Sequence, residues 1–275
     1  MRYSFLLICI CTLLGSCSQE PEKLRVVSYN IKNDYDKSPP NNWSARKLAM
    51  SEQIKEINPD VLGLQEALLN QIEDLQEALP AYSWVGMGRD GDPTSGEFCA
   101  IFYKKEKFTK LNSSTYWLGE QPSKPHLSYD AAYPRIVTEL ELQSPHGALI
   151  HILNTHFDHI GETARLKAAE QITANSQPYE NTILMGDFNA TKDSPPIQEL
   201  LRTFQDSRTA AGTAIQGEST TFNGFSKDPI DYRIDFILFK GSKLKAVKQA
   251  HIQKKKSDGN YISDHFPIYA DFQLN

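Results

Sequence analysis

Thr182-Ile183-Leu184-Met185-Gly186-Asp187-Phe188-Asn189 runs from a short apolar segment directly into a carboxylate and a carboxamide. The apolar residues predict a buried strand over Thr182–Met185, with the polar groups at its end. The same arrangement recurs elsewhere in the chain. Asn30 ends Val26-Val27-Ser28-Tyr29, Gln65-Glu66 closes Val61-Leu62-Gly63-Leu64, and Asn154-Thr155-His156 closes Ile150-His151-Ile152-Leu153. Two further sets have the reverse order: Asp235 precedes Phe236–Phe239, and Asp264-His265 precedes Phe266–Tyr269. In antiparallel neighbours the start of one strand lies beside the end of the next, so all six sets are expected to converge on one sheet edge.

Such a pocket would gather three or four carboxylates, one or two histidines and two asparagines. That density of acid is costly unless a cation or protons neutralise it. An oxygen-rich, cysteine-free donor set suits Mg²⁺, with Mn²⁺ as the alternative, rather than structural zinc. Singly, each set has a plainer reading. Asp187-Phe188-Asn189 also fits a turn or helix cap, Gln65-Glu66 a solvated strand terminus, and Asp264-His265 a structural pair. The ordered series of six is far more specific.

Further strands are predicted over Leu24–Asn30, Val61–Gln65, Cys99–Tyr103, Arg135–Leu142, Leu149–Asn154, Ile234–Phe239 and Phe266–Phe272. Helices are expected from an N-cap at Ser44 to Ile57, stopped by Asn58-Pro59, and along Leu68, Ile72, Leu75 and Leu79, ended by Pro80. A third covers Glu162–Asn175. Strands dominate and hairpin-like pairs appear, which favours an α+β fold with central sheets and outer helices.

Ser28-Tyr29-Asn30-Ile31, Leu64-Gln65-Glu66, Asn154-Thr155-His156, Gly186-Asp187-Phe188-Asn189, Arg233-Ile234-Asp235-Phe236 and Ser263-Asp264-His265-Phe266-Pro267 together resemble the endonuclease/exonuclease/phosphatase superfamily. The resemblance covers about residues 24–272 and is closest to a bacterial lipoprotein or secreted branch akin to deadenylase-like enzymes. It implies a four-layer α/β sandwich with two central mixed β-sheets flanked by helices, and a metal-dependent phosphoric ester hydrolase. On this resemblance Glu66, Asn30 and Asp264 would hold the metal, and Asp187, Asn189, Asp235, His265 and His156 would act in catalysis. Arg135 would bind the substrate phosphate, a surface ion pair being its other reading. Either Asp187 or His265 would activate water. One departure stands out: the abasic-site DNA-repair branch has an Asp two positions after the first Asn, where this chain has Lys32. His156 likewise points away from that branch.

Outside the motifs, Asp158 and His159 are placed at the pocket mouth without a step. Trp43 and Trp117 are expected in the core. Pocket shape is expected to depend on the loops Asp34–Trp43, Arg89–Glu97, Trp117–Tyr133 and Gly212–Asp231.

The N-terminus reads differently. Arg2 and the apolar run Phe5–Leu14 fit a signal peptide over residues 1–16. Leu14-Gly15-Ser16-Cys17 resembles a lipobox, so Cys17 would be lipidated, with residues 17–23 as its tether and 24–275 as the domain. The enzyme would then be anchored in a bacterial cell envelope, outside the cytoplasm. Cys9 and Cys11 lie in the leader, which leaves Cys99 as a buried thiol without a disulfide partner.

The 275-residue chain has a formal charge of −5, and removing Arg2 leaves 28 Lys+Arg against 34 Asp+Glu, or −6. This balance disfavours a general nucleic-acid binder. Lys254-Lys255-Lys256 reads as a solvated loop or as an attractor of phosphorylated ligands. Three functions follow from the sequence: an extracytoplasmic hydrolase of phosphodiesters or phosphomonoesters, a nuclease acting on single-stranded RNA or DNA, or a non-catalytic surface-binding lipoprotein.

Overall fold

The computed structural model describes residues 21–226 and 232–275. The signal peptide and Cys17 fall outside the described residues. The chain runs β1 (Glu22–Asn30), α1 (Trp43–Ile57), β2 (Val61–Gln65), α2 (Leu69–Ala78), β3 (Tyr82–Val85), β4 (Ile101–Lys104), β5 (Thr109–Leu118), β6 (Arg135–Gln143) and β7 (Leu149–His156). It continues through α3 (Glu162–Ser176), β8 (Thr182–Asp187), α4 (Pro195–Leu200), β9 (Gln205–Asp206), α5 (Ser207–Ala210), β10 (Ile215–Gln216), β11 (Asp235–Lys240), β12 (Leu244–His251) and β13 (Ile268–Leu274). Among the described residues these form a seven-stranded sheet, ordered β10-β12-β13-β1-β2-β4-β3, and a six-stranded sheet, ordered β5-β6-β7-β8-β11-β9. Both are mixed, and helices cover their outer faces. The expected four-layer sandwich is the observed one.

Strand periodicity decides what lies between the sheets, since side chains alternate faces. Leu24 and Val26 of β1, Val61 of β2, Ile183 and Met185 of β8, and Ile237 and Phe239 of β11 share the core between the sheets. The alternate positions Val27, Tyr29 and Ile31 pack instead against Met50 and Ile54 of α1 and Ile72 and Leu75 of α2. Leu184, Phe236 and Leu238 face Ala169 and Ile172 of α3 on the opposite side. Counting in twos along the inner face arrives at Asn30, Gln65, Asn154, His156, Asp187 and Asp235. The polar site is therefore the end of the inter-sheet core.

The two sheets are locked just beneath it. Gln65 Nε2 donates to Asn154 Oδ1 at 2.6 Å, while Asn154 Nδ2 donates to the carbonyls of Leu64 and Ala100, each at 2.9 Å. Gly63 permits this approach, because a Cβ there would lie 2.9 Å from Asn154 Cγ.

Several boundaries differ from expectation. The N-cap of α1 is Asn42, whose side chain accepts from Ala45 N at 3.2 Å, rather than Ser44. β1 begins at Glu22 rather than Leu24, and Glu22 pairs with Leu274 of β13. The last strand starts at Ile268 rather than Phe266: Pro267 has no N–H for the ladder, and Phe266 N is taken by Thr221 O at 2.7 Å. β3, β5 and β12 were not expected. Much of β5 is polar and exposed, at the rim of the six-stranded sheet, and Lys245 and Lys248 interrupt the apolar pattern of β12.

Replacing Asn154 with leucine would leave the Gln65 amide and two carbonyls short of a partner. Asn154→Leu is expected to lower unfolding free energy by about 3 kcal/mol, read by urea denaturation; an unchanged midpoint would remove this lock from the account. A second expectation concerns pH. Burial opposes ionisation of Asp158, but the amides of Gly161, Ala132 and Ile160 outweigh it and, with Arg135, hold the carboxyl at about 2. Stability from a depressed carboxyl is present above its unfolded value near 4 and is lost as pH falls toward about 2. The unfolding midpoint should therefore drop more steeply across that window in wild type than in Asp158→Asn.

Candidate active site

The site spans the ends of two packed sheets, and not the single sheet edge expected from sequence. β7 and β8 run parallel, so His156 and Asp187 end together as register partners. β11 runs antiparallel to β8, which sets Asp235 directly across from Asp187. β1 and β2 are parallel and deliver Asn30 and Gln65 side by side, with Glu66 one residue further on. Asp264 and His265 occupy the loop ahead of β13. Every sequence-proposed site residue lies in this region.

Two charge clusters result. In the inner one, His265 Nδ1 lies 2.9 Å from Asp235 Oδ2 and its Nε2 lies 3.5 Å from Asp187 Oδ2. Burial alone would lower the imidazole pKa, but Asp235 and Asp187 outweigh it and push it up to about 10. His265 is therefore an imidazolium with a carboxylate at each nitrogen. Asp187 is itself pushed up to about 7, chiefly by burial, despite accepting from Asn30 Nδ2 at 2.9 Å and Asn189 N at 3.0 Å.

In the outer cluster, Lys32 Nζ lies 3.4 Å from both Glu66 Oε2 and Asp264 Oδ2. Asn33 also donates to Glu66 Oε2, at 3.2 Å from its backbone and 2.8 Å from its carboxamide. Asn30 joins the clusters by donating to Glu66 Oε1 at 3.1 Å as well as to Asp187. Its own oxygen accepts from Lys32 N at 3.1 Å, so Asn30 would serve a cation by holding Glu66 in place.

Two arrangements could hold a metal. One atom each from Asp187, Asp235 and His265 lies within 4.8 Å of the others. That group, however, is already balanced by the imidazolium proton, and a protonated nitrogen offers no lone pair to a metal. Glu66 and Asp264 present oxygen donors that already attract a cation, the Lys32 ammonium. Their chemistry fits a hard divalent ion better.

His156 is buried, and burial together with Arg135 and Arg89 holds it well below its ordinary pKa. Its neutral Nε2 lies 3.0 Å from Asn189 Nδ2, which also donates to Phe157 O. Arg135 is buried rather than in a surface pair. Its Nε lies 3.3 Å from Asp158 Oδ2 and its Nη2 3.2 Å from His159 Nδ1, while Nη1, itself buried, has no hydrogen-bond partner among the described residues. Arg135 lines the cavity, and a guanidinium there is suited to an anion.

The cavity encloses about 660 Å³ and is lined by Lys32, Glu66, Arg89, Arg135, His156 and His265, among others. Sequence reasoning missed Arg89, Glu97 and Asn33. Arg89 Nη1 pairs with Glu97 Oε2 at 2.7 Å, and Asn33 reaches Glu97 at 3.1 Å. Arg89 and Glu97 lie in the loop Arg89–Glu97 already expected to shape the pocket, whereas Asn33 falls one residue short of the expected loop Asp34–Trp43 and carried no such signal. Tyr133 forms an exposed rim, with the Arg89 guanidinium 4.7 Å from its ring centroid and the His159 ring stacked at 5.9 Å. Trp117 is core, as expected, and its Nε1 donates to Arg89 O at 2.8 Å. Trp43 is likewise buried, and Cys99 is a buried free thiol. Lys254 pairs with Glu56 at 2.6 Å and does not line the cavity.

Comparison with known proteins agrees with this fold. The structure resembles an endonuclease/exonuclease/phosphatase from Bacteroides vulgatus, with TM-score 0.87, 32% identity, and coverage of 92% of this chain and 100% of the other. It also resembles a mannosyl-6-phosphatase from Bacteroides thetaiotaomicron, with TM-score 0.83, 28% identity, and coverage of 91% and 100%. By sequence it is 26% identical over 198 residues to carbon catabolite repressor protein 4 homolog 3 of Arabidopsis thaliana, matching 65% of this chain but only 42% of that protein. Residues 27–265 match the model of the endonuclease/exonuclease/phosphatase family. The chain belongs to that family, whose members are hydrolases of phosphoester bonds.

Proposed function

We propose that this protein is a Mg²⁺-dependent hydrolase of a small phosphomonoester or phosphodiester, tethered outside the cytoplasm of a bacterial cell by a lipidated Cys17. The observation carrying the reading is that Glu66 and Asp264 line one cavity with Arg135 and His265, and that His265 Nε2 lies 3.5 Å from Asp187 Oδ2 just behind the cavity wall. Similarity to a mannosyl-6-phosphatase supports a sugar-linked phosphate as the first substrate class to try. The acidic chain and the limited cavity support a small ligand over a polymer.

When bound, a magnesium ion held by Glu66 and Asp264 would supply counter-charge to phosphate oxygens. Arg135, which lines the cavity, offers guanidinium charge to the phosphate. His265 lacks an acceptor lone pair, so it stabilises negative charge by donating from Nε2, and Asp235 fixes the ring through Nδ1. Asp187, raised toward neutrality, is then the group that takes a proton from the attacking water. Of the two assignments left open by the sequence, the geometry supports this one. Neutral His156 and Asn189 form the opposite wall and hold each other in orientation.

Purified protein should hydrolyse sugar phosphates or aryl phosphoesters with Mg²⁺ and lose this activity in EDTA. Glu66→Gln and Asp187→Asn are each expected to lower kcat by about 10²- to 10⁴-fold. Arg135→Gln should act mainly on KM, by about tenfold. Turnover that survives EDTA and both carboxylate variants would sink this reading. Degradation of labelled single-stranded RNA or DNA in preference to small esters would move it to a nuclease.

A further inference from the structure

We propose that Lys32 is a tethered counter-cation that competes with the divalent ion for Glu66 and Asp264 and keeps metal affinity low until a phosphate is present. The inference rests on the reading of those two carboxylates as the metal pair.

Lys32 is the cation shared by two carboxylates from separate elements, at 3.4 Å from each. Its position is built into the fold. The backbone adopts a left-handed conformation, φ 55°, which an L-residue with a long side chain rarely occupies. Three contacts enforce it: Lys32 N donates to Asn30 Oδ1 at 3.1 Å, and its carbonyl accepts from Arg46 Nη2 and Gln71 Nε2, each at 2.9 Å. Arg46 and Gln71 are fully buried. The Lys32 side chain, by contrast, is one-third exposed and lines the cavity.

A divalent ion on the same oxygens would meet the ammonium at close range. Like charges repel there, so the side chain must swing away before the ion can bind tightly. Lysine suits this role, being a compact charge on a flexible stem. A phosphate in the cavity offers the displaced ammonium a new anionic partner. Metal and phosphate would therefore each favour the other through Lys32, in addition to any direct contact between them.

Titration calorimetry with MgCl₂ or MnCl₂ alone tests this, with no substrate and at fixed ionic strength. Lys32→Gln should tighten the Kd by about tenfold, while Lys32→Arg, which keeps the charge, should stay near wild type. The rise in Tm on adding metal should also be larger in Lys32→Gln, and this checks that the variant is folded. Unchanged or weaker binding by folded Lys32→Gln would overturn the proposal. Glu66→Gln separates the two failures. If it abolishes binding while Lys32→Gln changes nothing, the metal pair stands and Lys32 has no such role. If it leaves binding intact, or if wild type and Lys32→Gln bind no divalent ion, the metal assignment fails and the Lys32 proposal falls with it.

Discussion

Carboxylates withdrawn from water repel one another strongly. Two of them 4 Å apart at an effective dielectric of 20 cost about 4 kcal/mol before any desolvation. This fold brings Glu66, Asp187, Asp235 and Asp264 to one end of its interior, and it resolves the conflict by division. Asp187 and Asp235, both from the six-stranded sheet, share the His265 imidazolium. Glu66 and Asp264 flank strands of the seven-stranded sheet and share the Lys32 ammonium. The Asn30 carboxamide links one cluster to the other. The relative position of the sheets therefore fixes the distance between the two clusters. This explains why the Asn154–Gln65 lock lies immediately beneath them.

The loops at the strand ends are held with equal care. Lys32, Glu66 and Asn189 all have positive φ, at 55°, 59° and 46°. Such conformations persist where surrounding structure over-determines them. At Lys32, buried Arg46 supplies much of that constraint, donating to the carbonyls of Ile31, Lys32, Asn41 and Ile262. One guanidinium from α1 thus ties the end of β1 to the loop carrying Asp264, and Ser263 Oγ adds a bond to Asn30 O at 2.8 Å. Removing such a charge from four carbonyls would loosen both carriers of the outer cluster at once.

The strand residues of the site were legible because alternation is a local property. In Ile183-Leu184-Met185-Gly186-Asp187, every second residue belongs to the inner face, and the last of these is the catalytic candidate. The same count finds Asn30, Asn154 and Asp235. Arg46 was not legible, since it sits in an ordinary helical segment and its acceptors are backbone groups that carry no sequence signal. Arg89, Glu97 and Asn33 were missed for a related reason: irregular loops have no period from which to infer direction. β5 and β12 were missed because solvated, polar or lysine-bearing strands lack the apolar signature. The sequence pointed to convergence on one edge because antiparallel pairing within a sheet can be inferred, whereas the stacking of two sheets is a tertiary fact.

That contrast separates chemistry from choice of ligand. Asp187, Asp235 and His156 are fixed in β-ladders, and Glu66 and Asn189 lie just past the ends of β2 and β8, so their placement follows from the sheets. Arg89, Glu97, Tyr133 and His159 come from connecting segments and complete the cavity wall. The rigid set presents carboxylates, carboxamides and imidazoles at the end of the inter-sheet core. The loop set presents two cation–π contacts around the Tyr133 ring, at 4.7 Å from Arg89 and 5.9 Å from Arg135, and an exposed aromatic face. An exposed aromatic ring beside guanidinium charge can stack on a planar group and attract an anion. Sequence change in residues 89–97 and 119–134 would therefore reshape the cavity wall while leaving the strand-borne groups in place.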